Sequence, residues 1–119
     1  MNLINTLEID IKKSKFIGYY YEVSNIQEIN DIIATIKKEN KKARHFPYAY
    51  KIDNIVRKSD DKEPSGTASN PILNIIERKN LNNVLIIIVR YFGGIKLGAG
   101  GLIRAYSNTA NEVTNKNSY

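Results

Sequence analysis

Five of the chain's seven glycines fall within nine residues, at Gly93, Gly94, Gly98, Gly100 and Gly101. They sit in RYFGGIKLGAGGLIRAY, residues 90–106, with Arg90 ahead of them, Lys96 among them and Arg104 just after. Backbone approaches an anion closely only where side chains are absent, and the first turn of a helix presents unpaired N–H groups at the positive end of its dipole. The apolar run VLIIIV precedes the glycines and a helical pattern follows them. That layout suits a cradle for a phosphate group or a nucleic-acid backbone, with the three cations adding charge. It equally suits a structural role, a tight strand-to-helix turn that lets a helix pack closely. Spacing alone leaves both readings open.

A second polar stretch, SDDKEPSGT, runs from residue 59 to 67. Asp60, Asp61 and Glu63, with Ser65 and Thr67 nearby, form an acidic loop expected to border the glycine segment. Magnesium takes oxygen ligands and keeps several waters, so Asp60 and Asp61 are the candidates for holding it. No fixed ligand spacing is present, and a solvated loop whose Asp and Ser side chains make turns is the favoured reading, with no metal. His45 is the only histidine. As a general base it would need Ser59, Ser65 or Ser69 as nucleophile, yet no G-x-S-x-G elbow occurs, so no catalytic residue is assigned. Of the eight tyrosines, Tyr19, Tyr20, Tyr21, Tyr48 and Tyr50 fall on strand patterns, where cross-strand packing or base stacking would use them.

The elements that must position these residues are legible from periodicity. Leu7, Ile9 and Ile11 alternate with Glu8, Asp10 and Lys12, a half-buried strand, and KFIGYYYEV at 15–23 is a second strand to pair with it. Ser24 or Asn25 then caps a helix, with Gln27 or Glu28 placed for a capping box and Ile26, Ile29, Ile33 and Ile36 on one face. Residues 44–58 alternate as a hairpin turning at Asp53-Asn54. Asn70 followed by Pro71 opens a short helix with Ile72, Ile75 and Ile76 inward. The run at 84–89 is apolar on both faces, which predicts a central strand covered on both sides or closely packed at one edge. The last helix begins near Gly98 and turns Leu102, Ala105, Tyr106, Thr109, Ala110 and Val113 inward. Two strands, helix, two strands, helix, strand, helix make one α+β domain.

Composition agrees with that size. The chain has 119 residues, 42% hydrophobic and 25% charged, ordinary values for a globular domain, and no cysteine, which excludes disulfides and thiolate zinc sites. A reducing cytoplasm is the expected location, with no membrane span and no signal peptide. The net charge is +6, with basic clusters at Lys12, Lys13 and Lys15 and at Lys37, Lys38, Lys41, Lys42 and Arg44. Such patches attract polyanions.

Taken together, KSKFIG at 13–18, Ala43-x-His45 followed by Ala49-Tyr50, SDDKEPSGTA at 59–68, Pro71-Ile72-Leu73 and VRYFGGIKLGAGGLIRAY at 89–106 resemble the IMPACT/YigZ family in order and spacing. The match covers roughly residues 12–112, nearly all of the family's N-terminal domain. Two positions depart from its pattern: Lys62 and Ser69 each stand where the family usually has glycine. Bacterial members generally carry a further, ferredoxin-like domain, whereas this sequence stops at Tyr119. The expectation is one IMPACT N-terminal-like domain over residues 1–119 without that second domain, either as a single-domain member or as a truncation. The resemblance implies a fold similar to the second domain of the fifth small-subunit ribosomal protein, a β-sheet with helices packed on one face, also seen in nucleotide-binding kinases and gyrase-type ATPases. It also implies a link to translational control, known in eukaryotes through a partner of the kinase that phosphorylates initiation factor 2.

The leading expectation is a non-enzymatic binding module without cofactor that contacts RNA, the ribosome or translation factors. Arg90, Gly93, Gly94, Lys96, Gly98, Gly100, Gly101 and Arg104 would hold phosphate, bordered by Asp60, Asp61, Glu63, Ser65 and Thr67. The alternatives are a magnesium-dependent enzyme acting on a nucleotide or phosphorylated small molecule, and a domain that serves protein interaction alone.

Overall fold

The two runs richest in β-branched and aromatic residues, KFIGYYYE at 15–22 and VLIIIVRY at 84–91, lie in neighbouring strands. A computed structural model of the chain describes residues 1–115. In chain order the elements are β1 (Asn2–Ile11), β2 (Ser14–Glu22), α1 (Ile26–Glu39), β3 (Tyr48–Ile52), β4 (Ile55–Ser59), α2 (Ser69–Arg78), β5 (Val84–Tyr91) and α3 (Gly98–Val113). They form one α+β domain around a five-stranded sheet in the order β1-β2-β5-β3-β4, every neighbouring pair antiparallel.

β5 is the central strand, and its seven residues from Val84 to Arg90 are all buried. Side chains alternate between the faces of a strand, so a wholly apolar strand needs cover on both. Ile86 and Ile88 point into a cluster with Ile72, Ile75 and Ile76 of α2 and Leu102, Ala105, Tyr106 and Val113 of α3. Leu85, Ile87 and Val89 point the other way, into a cluster with Ile29, Ile32 and Ile36 of α1 and with Phe46, Tyr50 and Ile52. The expectation of helices on one face therefore holds for α2 and α3 but not for α1, which covers the opposite face. A one-faced arrangement would leave three large side chains of β5 in water, a loss of about 1.5–3 kcal/mol for each.

Local chemistry sets the boundaries. The Asn25 side chain accepts the Glu28 N–H at 2.9 Å, and Glu28 reaches back to the Ser24 N–H at 2.7 Å, so α1 starts with a reciprocal cap. The hairpin expected across 44–58 is shorter, because Pro47 has no N–H to give to a ladder. β3 begins only at Tyr48, while His45 and Pro47 still run beside β5 and accept the N–H groups of Arg90 and Ile88 at 3.0 Å each. α2 begins at Ser69 rather than at an Asn70 cap, for a reason that lies in the acidic loop. No helix among the described residues is long and apolar enough to cross a membrane.

Candidate functional site

Alternation along β5 carries Arg90 to the same face as Ile86 and Ile88, toward α3. There it is 5% exposed and meets two side chains from distant parts of the chain. A guanidinium removed from water must be paired, since an isolated buried charge costs several kcal/mol. Arg90 Nη1 donates to both carboxylate oxygens of Glu63, at 2.9 and 2.8 Å, and Glu63 is itself 6% exposed. The Tyr106 hydroxyl, from the inward stripe of α3, donates to Glu63 Oε2. Burial, followed by the neighbouring Glu63 charge, pushes the Tyr106 hydroxyl far above its ordinary pKa, so it stays a proton donor. His45 Nε2 lies 3.6 Å from Glu63 Oε1, and its Nδ1 is 3.0 Å from the Asp61 carbonyl oxygen. Because that carbonyl only accepts, Nδ1 carries the proton. The Phe16 and Phe92 rings flank the guanidinium, with centroids 5.7 and 5.6 Å away.

This network floors a cleft of about 420 Å³, between the end of β5, the acidic loop and the start of α3. Phe92, Leu97, Leu102 and Pro64 supply apolar walls, Arg44 and Lys96 supply charge, and Gly98 and Ala99 bring in the first turn of α3. Leu97 occupies the cap position of α3 and offers no side-chain hydrogen bond to that turn. Arg90 Nε, buried beneath the same cleft, has no hydrogen-bond partner. The cleft thus combines apolar walls with unpaired donors and positive charge, an arrangement that accommodates an anionic group attached to an apolar or aromatic body.

The expected phosphate residues are divided by this geometry. Arg90, Lys96 and Gly98 line the cleft, but Arg90 is committed to Glu63 and only Lys96 is a free surface cation. Arg104 lies on the other side of Leu97, in a separate depression with Lys12, Gly101 and Asn108. Helix rotation explains the split, since Arg104 is exposed while Leu102 and Ala105 beside it turn inward. Gly93 serves packing: a Cβ there would stand 1.9 Å from the Lys13 carbonyl oxygen, so the glycine loop lies flush against the β1–β2 turn. Gly98 has φ +74°, a conformation that glycine adopts without strain at the entry to α3. Gly94, Gly100 and Gly101 line no part of the cleft, though Gly100 belongs to the first turn of α3.

The acidic loop is also divided. Burial works against ionisation of Asp60, but its carboxylate accepts the N–H groups of Gly66 at 2.9 Å, Ser69 at 2.8 Å and Ala68 at 3.2 Å, and the balance lowers its pKa. Asp60 is therefore the cap of α2, delivered from eight residues upstream of Ala68. The Asp61 carboxylate accepts the Phe46 N–H at 2.7 Å. Thr67 is buried and bonds the Pro64 carbonyl, Ser65 is exposed, and Ser59 Oγ accepts the Asp61 N–H. Neither aspartate converges with a third metal-ligating side chain: no cluster of three such residues occurs among the described residues. Lys62, where the resembled family usually has glycine, has φ +72°, so that preference follows from the backbone. Ser69 occupies an ordinary helical position.

Reasoning from the sequence missed Arg44 as a wall of the cleft and Tyr106 as the donor to Glu63. Tyr106 was legible as an inward residue, and a hydroxyl on an inward stripe is a signal for a buried polar partner. Arg90 two positions beyond Ile88 carried the matching signal, an arginine on the buried face.

Comparison with known proteins agrees with this fold. Residues 12–114 match the model of the Impact N-terminal domain. The chain is 47% identical over 111 residues to the IMPACT family member YvyE of Bacillus subtilis (strain 168), covering 91% of this chain and 51% of that protein. A crystal structure of a hypothetical protein superposes with a TM-score of 0.87 at 31% identity, over 92% of this chain and 55% of that one. The two-domain translational regulator Yih1 has the same fold, with a TM-score of 0.55 at 21% identity, over 94% of this chain and 45% of Yih1. The chain spans about half the length of the curated relatives it matches. From the matched residues and the shared fold, the chain belongs to the Impact N-terminal domain family.

Proposed function

We propose that this domain is a binding module of the translation apparatus that engages phosphate-bearing RNA, free or in the ribosome, at the open N-terminus of α3. The observation that carries the reading is the cleft itself: an uncapped helix start, a buried arginine with an unpartnered Nε beneath it, and Arg44 and Lys96 on its rim. Likeness to a translational regulator supports the translational setting, and that setting would place the protein in the cytoplasm. The magnesium-enzyme alternative draws no support from Asp60 and Asp61, whose carboxylates serve backbone N–H groups of their own chain.

The test is binding of the 119-residue chain to labelled RNA and to purified ribosomes across a salt series. Phosphate contacts release counterions, so affinity should fall several-fold on doubling the salt. Arg44→Glu combined with Lys96→Glu should lower affinity on the order of tenfold or more, equivalent to the loss of about 1.4 kcal/mol. Absence of binding to both RNA and ribosomes at low salt would reject the reading and leave a protein partner.

A further inference from the structure

The cleft is the first of three depressions that share their walls. Arg44 lines the cleft and also a neighbouring hollow of about 220 Å³. That hollow in turn shares Lys37, Phe46 and Asp61 with a third of about 380 Å³, which ends at Tyr48. The three depressions thus adjoin in series, the first two at Arg44 alone, from the start of α3, past the end of α1, to the mouth of the β3–β4 hairpin.

Its chemistry is uneven in a telling way. Lys96, Arg44, Lys41, Lys62 and Lys37 line the path and all five are exposed. The carboxylate that borders the second and third hollows, Asp61, already accepts the Phe46 N–H at 2.7 Å. Cations and aromatic rings also alternate. The Arg44 guanidinium lies 5.1 Å from the centre of the Phe92 ring, and Lys37 Nζ lies 5.8 Å from that of Phe46. At the far end Tyr48 stacks on Tyr50 with centroids 6.2 Å apart. Of the four lysines clustered at the end of α1, Lys37 and Lys41 line the path while Lys38 and Lys42 do not.

Resting on the reading proposed above, we infer that the partner is a single strand of RNA laid along this path, and not a duplex. Proteins that hold single strands combine a positive groove that tracks the backbone with aromatic faces for unstacked bases. Duplex RNA is instead read by shape across its wide, shallow groove, which concave hollows walled by rings do not match. In this arrangement the apolar-walled cleft takes one base, with its phosphate at the first turn of α3. The following phosphates meet Arg44, Lys41 and Lys37 in turn.

The experiment compares a fluorescent single-stranded oligoribonucleotide of roughly ten nucleotides, within the usual site sizes, with the same sequence annealed to its complement. Anisotropy is measured on the 119-residue chain over a salt series. The single strand should bind on the order of tenfold tighter, with a log–log salt slope of about −0.7 for each phosphate contacted. Lys37→Gln and Lys41→Gln should each weaken binding several-fold and flatten the slope. Arg78→Gln, at an exposed cation that lines none of the three depressions, should leave both unchanged. Photo-crosslinking of iodouridine-substituted RNA should mark Phe92 or Tyr48. Equal or tighter binding of the duplex would overturn the inference. So would a loss for Arg104→Gln as large as that for Lys37→Gln, which would move the contact across Leu97. If Arg44 and Lys96 matter but Lys37 and Lys41 do not, phosphate binding at the cleft survives while the path falls. If neither pair matters, both proposals fail together.

Discussion

Two helices begin beside the acidic loop, and their first turns are finished in opposite ways. At α2 the chain supplies its own anion: Asp60 accepts three backbone N–H groups around Ser69. At α3 the cap position is Leu97, and the turn from Gly98 opens on the cleft. An N-terminus satisfied from within contributes to stability, whereas one without a side-chain cap leaves its first N–H groups to water or to a ligand. The same loop serves both ends, since Glu63, three residues beyond Asp60, anchors Arg90 under the open turn. The contrast is of a single segment dividing its carboxylates between capping one helix and pairing the arginine beneath the start of another.

The sharpest way to break the contrast is at its shared anchor. Glu63→Ala leaves Arg90 buried and unpaired, and should lower unfolding free energy by about 3–5 kcal/mol, measured by urea denaturation. Pairing it with Arg90→Met should restore much of that loss, because the uncompensated charge is then gone. Next in size, Asp60→Ala should cost about 2 kcal/mol by removing the cap of α2, read in the same denaturation series.

Acid titration sharpens the comparison further. The Asp60 carboxyl is held below its ordinary value, so its contribution is fully present above the unfolded-state pKa of about 3.9. It is lost as pH falls from there through the folded value. The stability gap between the parent chain and Asp60→Asn should therefore be constant at neutral pH and close progressively below about pH 4. A gap that persists unchanged in strong acid would remove charge from the account. The smallest effect belongs to Ala99→Glu, which places an anion in the first turn of α3. Stability should rise by about 0.3–1 kcal/mol through the helix dipole, while RNA affinity falls. The proposed phosphate site requires those opposite signs.

Much of this was legible in the sequence, and the rest was hidden for physical reasons. The inward stripe from Leu102 to Val113 was readable because every member recurs at helical spacing, and all six of its residues are buried. The Asp53-Asn54 turn was readable from its residue types, and Asp53 has a positive φ of 53°. The side taken by α1 was not, because β5 is apolar at every position from Val84 to Val89 and so carries no alternation there to say which face meets which helix. Ile32 of α1 was missed for the related reason that Ile33 beside it is also apolar, and the buried face proved to be Ile29, Ile32 and Ile36. At the site, residue types pointed to Arg90 and Glu63, but their pairing spans 27 positions and no local rule specifies it. Asn70 had every local mark of a cap, yet Asp60 arrived through the tertiary structure and took that role.

The strand order carries a consequence for how the molecule comes into being. β1 pairs with β2 and β3 with β4, and within the sheet those two hairpins are joined only through β5, which lies between β2 and β3. During synthesis at about 5–20 residues per second, both hairpins emerge well before Val84. Until β5 is inserted, the inner edges of β2 and β3 each present an unpaired row of N–H and C=O groups, the kind of edge that recruits stray strands. Long-range pairing of this sort is slow to form. The interval between completion of β4 and arrival of β5 is thus the point at which the nascent chain is most exposed to aggregation, and the insertion of one apolar strand both ends that exposure and joins the two halves of the sheet.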